Sequence, residues 1–134
     1  MIAMLGAVPD LGGIMYKAYG FVIESELELP ELQRYDADPG SRPDITIRVA
    51  PASKAAVAAG TDYGPLFRMS PTCVWFDMAD VAEFLISDGA EIIVNPKSNA
   101  DSASVRLFLL GSAFGAALVQ RNLLTLHGNA IRIG

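Results

Sequence analysis

The sequence is poor in the residues that build most catalytic and metal centres. It contains one cysteine, Cys73, and one histidine, His127. A single cysteine excludes an internal disulfide and a metal site made from several cysteines, and no pattern of a serine–histidine–aspartate triad can be assembled. The scarcity of cysteine suits a reducing compartment, so we expect a cytoplasmic protein.

Positive charge is also scarce. Ten Lys and Arg stand against 15 Asp and Glu, which gives a net charge of −5, and no basic run occurs anywhere in the chain. Nucleic-acid binding needs clustered Lys and Arg, so we expect no nucleic-acid partner. No bound cofactor is expected from these 134 residues either.

Long uncharged apolar runs are absent as well. Residues 107–119, 13 in all, form the only such run in the region that reads as a helix, and spanning a bilayer takes about 20. We therefore expect no membrane partner. The mildly apolar start lacks the positive region of a secretory signal. Residues 1–14 are expected to be disordered or a misassigned start, since Met4 and Met15 are both plausible initiators.

What remains is an ordinary globular composition, 51% hydrophobic and 19% charged. We expect one domain over residues 15–134. Residues 21–29 alternate, with Phe21, Ile23, Leu27 and Leu29 apolar, which predicts one strand with a buried face. Its even positions, the glutamates 24, 26 and 28, are interpreted as a solvated strand face rather than an acidic site.

Further strands are predicted at 44–49, 73–77, 81–86 and 91–95, with a short one at 66–69 and a helical turn in 51–60. Asp88-Gly89 predicts a tight hairpin between two of them. Trp75 is expected to be a buried sheet residue rather than a platform for a ligand. No βαβ rhythm is present, so the predicted class is α+β with a mostly antiparallel sheet, a meander with a hairpin.

One long helix is predicted from about Asp101 to Arg121 or Asn122, with Ser98-x-x-Asp101 as a capping box. Its apolar residues go nearly all the way round, which predicts burial in a core, an oligomer or a membrane. Gly111 and Gly115 have the spacing that lets a helix lie close to a neighbour, and we expect that neighbour to be the sheet or another helix. A terminal strand or hairpin, 124–134, is predicted to follow.

His127 lies in that last segment and is the candidate general base, because its free pKa is near neutrality. The spacing alone favours a structural histidine beside a glycine bend. Whether residues 124–127 pair with the sheet of this chain or with another domain is left open by the sequence.

Three segments together resemble HPr serine kinase-related proteins, which are bacterial ATP-dependent kinase-like proteins. They are Tyr19-Gly-Phe-Val-Ile-Glu-Ser-Glu-Leu-Glu-Leu-Pro-Glu-Leu32, Arg106-Leu-Phe-Leu-Leu-Gly-Ser-Ala-Phe-Gly-Ala-Ala-Leu-Val-Gln-Arg121 and Leu124-Thr-Leu-His-Gly-Asn-Ala-Ile-Arg-Ile-Gly134. In that family a Leu-His-Gly strand leads into a phosphate loop of the type Gly-x-x-x-x-Gly-Lys-Ser/Thr. The resemblance implies that His127 matches a histidine near the catalytic site.

The phosphate loop itself does not occur in the 134 residues. The resemblance therefore implies the N-terminal part of a serine kinase-like transferase that is inactive alone. ATP and Mg²⁺ are expected only for a longer, complete protein. The alternative is a stand-alone protein- or peptide-binding or oligomerisation module. In both hypotheses the apolar helix is expected to make the chain a homo-oligomer, and a protein or peptide is the expected substrate or partner.

Overall fold

The structure is a computed structural model, and it describes residues 13–36, 38 and 40–123. These residues form one large mixed sheet and one helix, which confirms the predicted α+β class. The strands are β1 Ile14–Ala18, β2 Phe21–Ser25, β3 Gln33–Arg34, β4 Ile45–Val49, β5 Thr61–Asp62, β6 Phe67–Met69, β7 Cys73–Met78, β8 Ala82–Ser87 and β9 Glu91–Pro96. The helix, α1, runs from Ser102 to Gln120.

The nine strands lie in the order β3-β1-β2-β4-β9-β8-β7-β6-β5. The sheet is not a single meander, because β4 lies between β2 and β9 and is parallel to both. The other pairings are antiparallel. A parallel neighbour needs a crossover rather than a hairpin, and the sequence pattern of each strand carries no signal for its partner. The predicted meander therefore describes only the run from β5 to β9.

The predicted strand over 21–29 is too long. β2 ends at Ser25, whose buried hydroxyl donates to the carbonyl oxygen of Leu27 at 2.7 Å and accepts from its N–H at 3.0 Å. This local turn replaces ladder hydrogen bonds and bends the chain. Leu29 is still buried, as its apolar character predicts, and its N–H donates to the hydroxyl of Tyr16 at 2.8 Å.

Two hairpins turn at a pair of residues with positive φ. The predicted Asp88-Gly89 turn between β8 and β9 is confirmed, with φ values of 55° and 62°, and the loop also includes Ala90, whose N–H donates to the carbonyl oxygen of Ser87 at 3.0 Å. Tyr19-Gly20, with φ values of 54° and 80°, joins β1 to β2 without a further residue. The sequence reading missed β1 because Tyr-Gly is a weaker turn signal than Asp-Gly.

α1 begins at its cap, Asp101. The carboxylate accepts from the N–H of Ser104 at 3.2 Å and from that of Ala103 at 3.4 Å, so the predicted capping box from Ser98 is wrong. The Ser104 hydroxyl donates to the same carboxylate at 3.1 Å, and these donors lower the pKa of Asp101. Residues 109–113 form one wider π turn within the helix.

The sheet is covered on both faces. One side of α1 packs on β8, β9 and their neighbours, through Val105, Leu109, Ala113, Phe114 and Ala117. The other face of the sheet buries Trp75, as predicted, with Leu85 beneath the 3₁₀ turn Lys54–Ala56. That turn is all that remains of the helical turn predicted over 51–60.

The outer side of α1 stays uncovered by the described chain. At 19 residues, α1 is long and apolar enough to span a membrane by length and composition, a property it shares with core helices. The length argument against a membrane helix is therefore wrong, because the helix extends beyond the uncharged run on which that argument relied. Of the predicted N-terminal segment 1–14, residues 1–12 lie outside the described residues, whereas Ile14 is part of β1; the predicted strand or hairpin 124–134 lies outside them as well.

Candidate functional site

His127, the residue predicted to be catalytic, lies outside the described residues. The three glutamates of the predicted strand face do not converge on a site. Glu24 packs beside Gly13, Glu26 accepts from the N–H of Val49 at 2.8 Å, and Glu28 lies 3.8 Å from Arg34 in an exposed ion pair. Only Glu24 lies in β2, which ends at Ser25, so the interpretation as one strand face is wrong for Glu26 and Glu28.

A prominent concave feature of the described residues is an apolar cavity of about 810 Å³, here called the groove. It lies between the C-terminal half of α1 and strands β6 and β7. Its floor and walls are formed by apolar side chains, among them Leu66, Phe67, Met69, Val74, Phe76 and Val119. A cavity of this size falls in the range that holds a small ligand or a few side chains of a partner.

The groove exists because the sheet is wider than the helix that covers it. α1 crosses β8 and β9, so the same face of β6 and β7 extends past it. A row of stacked aromatic rings follows this face. Phe84 lies beneath the helix, and its ring centroid is 4.9 Å from that of Phe76. The ring centroids of Phe76 and Phe67 are 6.4 Å apart. Tyr63, 60% exposed, contacts Phe67 edge-on at the mouth.

The helix wall of the groove is fixed by the β8–β9 turn. Gln120 accepts from the N–H of Gly89 at 2.7 Å and donates to the carbonyl oxygen of Ile86 at 3.1 Å. Arg121 donates to the carbonyl oxygen of Gly89 at 2.6 Å and lies 4.8 Å above the Phe21 ring. Because both side chains are tied to the sheet, the end of α1 forms a rigid wall.

Charged side chains lie at one end of the groove. Asp77 lines it and forms an ion pair with Lys97 at 3.1 Å, and Glu83 lies 3.8 Å from the same ammonium group. Glu83 also accepts from the indole N–H of Trp75 at 3.1 Å. The hydrogen bond to Asp77 is the main cause that raises the pKa of Lys97. Lys97 therefore stays charged near neutrality and cannot act as a general base there.

This chemistry favours binding over catalysis within the described part of the chain. Asp77 is the one carboxylate among the residues that line the groove, and its partner is a protonated lysine. Among residues 13–36, 38 and 40–123 no group of three His, Cys, Asp or Glu side chains is placed to hold a metal ion. Cys73 lies on β7 with its thiol 3.5 Å from the hydroxyl of Ser87. What the groove offers is apolar surface with one acidic end.

Sequence reasoning missed the groove. Phe67, Val74 and Phe76 have the alternation of ordinary strand residues, which indicates a buried face but not which element covers it. Of its exposed rim residues, Tyr63 falls in a stretch interpreted as loop and Leu66 begins the short strand predicted at 66–69. The closely spaced large apolar residues Tyr63, Leu66 and Phe67 were the available signal.

Comparison with known protein families, with curated proteins and with solved structures gives no match for this chain. Its function therefore has to be argued from the groove, the helix and the sequence resemblance.

Proposed function

We propose that this chain is the partner-recognising N-terminal part of an HPr serine kinase-like ATP-dependent phosphotransferase, and that it binds an apolar segment of a protein or peptide in the groove. The groove carries the proposal, since it is large, apolar and rigidly walled. Its acidic end at Asp77 favours a segment that also carries a positive charge.

The resemblance supports the connection to phosphotransfer. α1 and the residue that follows it include the segment 106–121 that resembles the family, and Asn122, just after α1, lines the groove. His127, which the resemblance assigns to the catalytic region, lies outside the described residues.

The chain alone is expected to have no kinase activity. Nucleotide binding of this type needs backbone N–H groups at a helix N-terminus, a lysine for the phosphates and a hydroxyl for Mg²⁺. The 134 residues contain no Gly-x-x-x-x-Gly-Lys-Ser/Thr motif. Calorimetry with Mg·ATP should therefore show no binding. Appreciable affinity that a substitution within this chain abolishes would contradict this part of the proposal.

The groove is tested by peptide selection from a random displayed library followed by affinity measurement. Selected peptides should pair aromatic or aliphatic residues with Lys or Arg. Leu66→Glu and Met69→Glu, both at the exposed rim, should weaken binding at least tenfold because each introduces a charge into an apolar contact. Leu107→Glu, exposed on α1 outside the groove, is the matched control and should bind as the wild type does.

A stand-alone binding module is the second candidate function. The groove favours it as well, because the described residues complete the groove with no nucleotide site. The two functions are separated by the coding sequence downstream of residue 134. A reading frame that continues into the phosphate-loop motif supports the kinase-like protein, and His127→Ala in that longer protein should then reduce phosphotransfer. Unchanged phosphotransfer would remove the role of His127.

A further inference from the structure

The outer side of α1 carries a stripe of four residues spaced four apart: Leu107, Gly111, Gly115 and Val119. Leu107 is 67% exposed and Val119 is 58% exposed. A Cβ built on Gly111 or Gly115 meets no atom within 4 Å. Of the two expected neighbours, the sheet or another helix, the sheet is therefore wrong, since both glycines face away from it.

The glycines have no explanation within the described fold. Glycine in a helix interior is less favourable than alanine by roughly 1 kcal/mol, and alanine would fit at both positions. Neither residue has the positive φ that would require glycine. What a glycine pair gives a helix is a flat strip where a second backbone can approach closely.

The wider turn at residues 109–113 helps to align the stripe. In a regular α-helix, residues four apart are offset by about 40° around the axis, so a row with this spacing winds round the helix. The π turn fits an extra residue into one turn and reduces that offset where Leu107, Gly111 and Gly115 follow one another. The stripe is thereby straighter than an α-helix would allow.

The order of the stripe is the same in both directions: one large apolar residue, two glycines, one large apolar residue. The inner pair, Gly111 and Gly115, and the outer pair, Leu107 and Val119, are both centred on position 113. A two-fold axis near residue 113 would place Gly111 against Gly115 of a second copy and Leu107 against Val119. Self-complementarity of this kind is what a two-fold interface requires.

We propose that two copies of this chain associate through antiparallel packing of α1 along the stripe. Charge is compatible with this arrangement. The stripe carries no charged side chain, and Arg106 beside it donates to Glu31 of its own chain at 2.9 Å. Antiparallel helices also place the positive end of each helix dipole near the negative end of the other.

The contact area predicts a weak dimer. From Leu107 to Leu123 the helix and its last turn extend about 24 Å, and two helices in contact over that length bury roughly 800–1,000 Å² in total. This is the lower limit of specific interfaces. We therefore expect a dissociation constant of about 1–100 μM, so that the chain is monomeric when dilute and dimeric when concentrated.

Sedimentation equilibrium from about 1 to 500 μM tests the stripe. Gly115→Leu should weaken dimerisation at least tenfold, because the added side chain separates the two backbones. It should not lower the melting temperature of the dilute monomer, since the position is open and leucine favours helix. Ser112→Leu, an exposed position three residues before it on α1, adds the same bulk off the stripe and should dimerise as the wild type does.

Cross-linking tests the antiparallel register. Gly111→Cys chains mixed with Gly115→Cys chains should form disulfide-linked heterodimers faster than either variant alone, because only the mixed pair brings the two thiols together. Wild-type chain, which keeps Cys73, sets the background rate. Homodimers that form fastest within each single variant would indicate parallel packing and overturn the proposal.

Two other results would also overturn it: a monomer at every concentration, or a dimer that Gly115→Leu leaves intact. Flotation with phosphatidylcholine vesicles addresses a membrane as occupant. If α1 binds vesicles and the chain shows no dimer in solution, the stripe faces lipid instead. Leu66→Glu and Met69→Glu change the groove and leave the stripe intact, so they separate groove binding from dimerisation, whereas Val119 belongs to both surfaces.

Discussion

Gly89 and Arg121 are in such close contact that no larger residue fits at position 89. A Cβ built on Gly89 would lie 2.7 Å from the Cγ of Arg121 and 3.0 Å from the carbonyl oxygen of Ala117. The guanidinium of Arg121 donates to the Gly89 carbonyl oxygen at 2.6 Å. The end of α1 therefore packs directly on the turn between β8 and β9.

Gly89→Ala should destabilise the protein by about 2–3 kcal/mol, the sum of a left-handed alanine and a clash with the helix. Gly20→Ala is the matched control. Gly20 also has positive φ, but nothing lies within 4 Å of its built Cβ, so about 1 kcal/mol is expected. Urea denaturation measures both, and equal losses would show that contact with α1 contributes nothing.

Phe84→Ala should cost about 3–5 kcal/mol, because Phe84 is fully buried between the sheet and α1 and stacks on Phe76. Tyr63→Ala, at an exposed aromatic of the groove mouth, should change stability by less than about 0.5 kcal/mol. Thermal and urea unfolding of both variants checks the pair. A large loss for Tyr63→Ala would mean that the groove is covered in the free protein.

Asp101 should make helix stability depend on pH at the acidic end. Its pKa is lowered in the fold, chiefly by the hydroxyl of Ser104, so its contribution is full above the unfolded pKa and is lost as pH falls through the folded one. Asp101→Ala should lower the melting temperature at neutral pH. Asp101→Asn keeps a capping side chain and should flatten the acidic pH dependence with a smaller loss. An unchanged pH profile in both variants would exclude this role.

Lys97 should make the stability of the protein depend on pH at the alkaline end. Its pKa is raised, chiefly by the hydrogen bond to Asp77, so its contribution is full below the ordinary lysine pKa and is lost as pH rises through the folded value. Lys97→Met leaves Asp77 and Glu83 as neighbouring carboxylates without their cation. We expect lower stability at neutral pH and partial recovery in high salt, which screens the repulsion, with circular dichroism as the readout.

Local patterns predicted most of the elements but not their arrangement. The strands at 73–78, 82–87 and 91–96 and the Asp88-Gly89 turn follow from alternation and turn chemistry, which act between near neighbours. The position of β4 between β2 and β9 depends on pairing across more than 40 residues, for which a single strand carries no signal. Ser25 shows that local patterns can also misplace the end of a strand. β2 ends at this polar residue, although the apolar alternation predicts that the strand continues.

The candidate sites could not be fully predicted for the same reason: local patterns do not show which elements lie next to each other. Gly111 and Gly115 were predicted to be a close-approach pair, but the direction in which they face is set by which side of α1 the sheet buries, and within the described residues they face away from it. The groove required knowing that β6 and β7 extend beyond the helix. His127 stays a prediction, because the described residues end at Leu123.

The parallel position of β4 also means that, during synthesis, this strand must wait for its second neighbour. Ile45 and Ile47, both buried in the finished sheet, belong to a strand whose second neighbour, β9, is made only after about 42 further residues. At 5–20 residues per second, a ribosome takes about 2–8 s to supply them. For that interval one edge of β4 is open, and open apolar edges pair with other chains. Nascent chains stalled between Val49 and Glu91 should therefore recruit chaperones more strongly than chains released after Pro96, which ribosome-bound pull-down would measure.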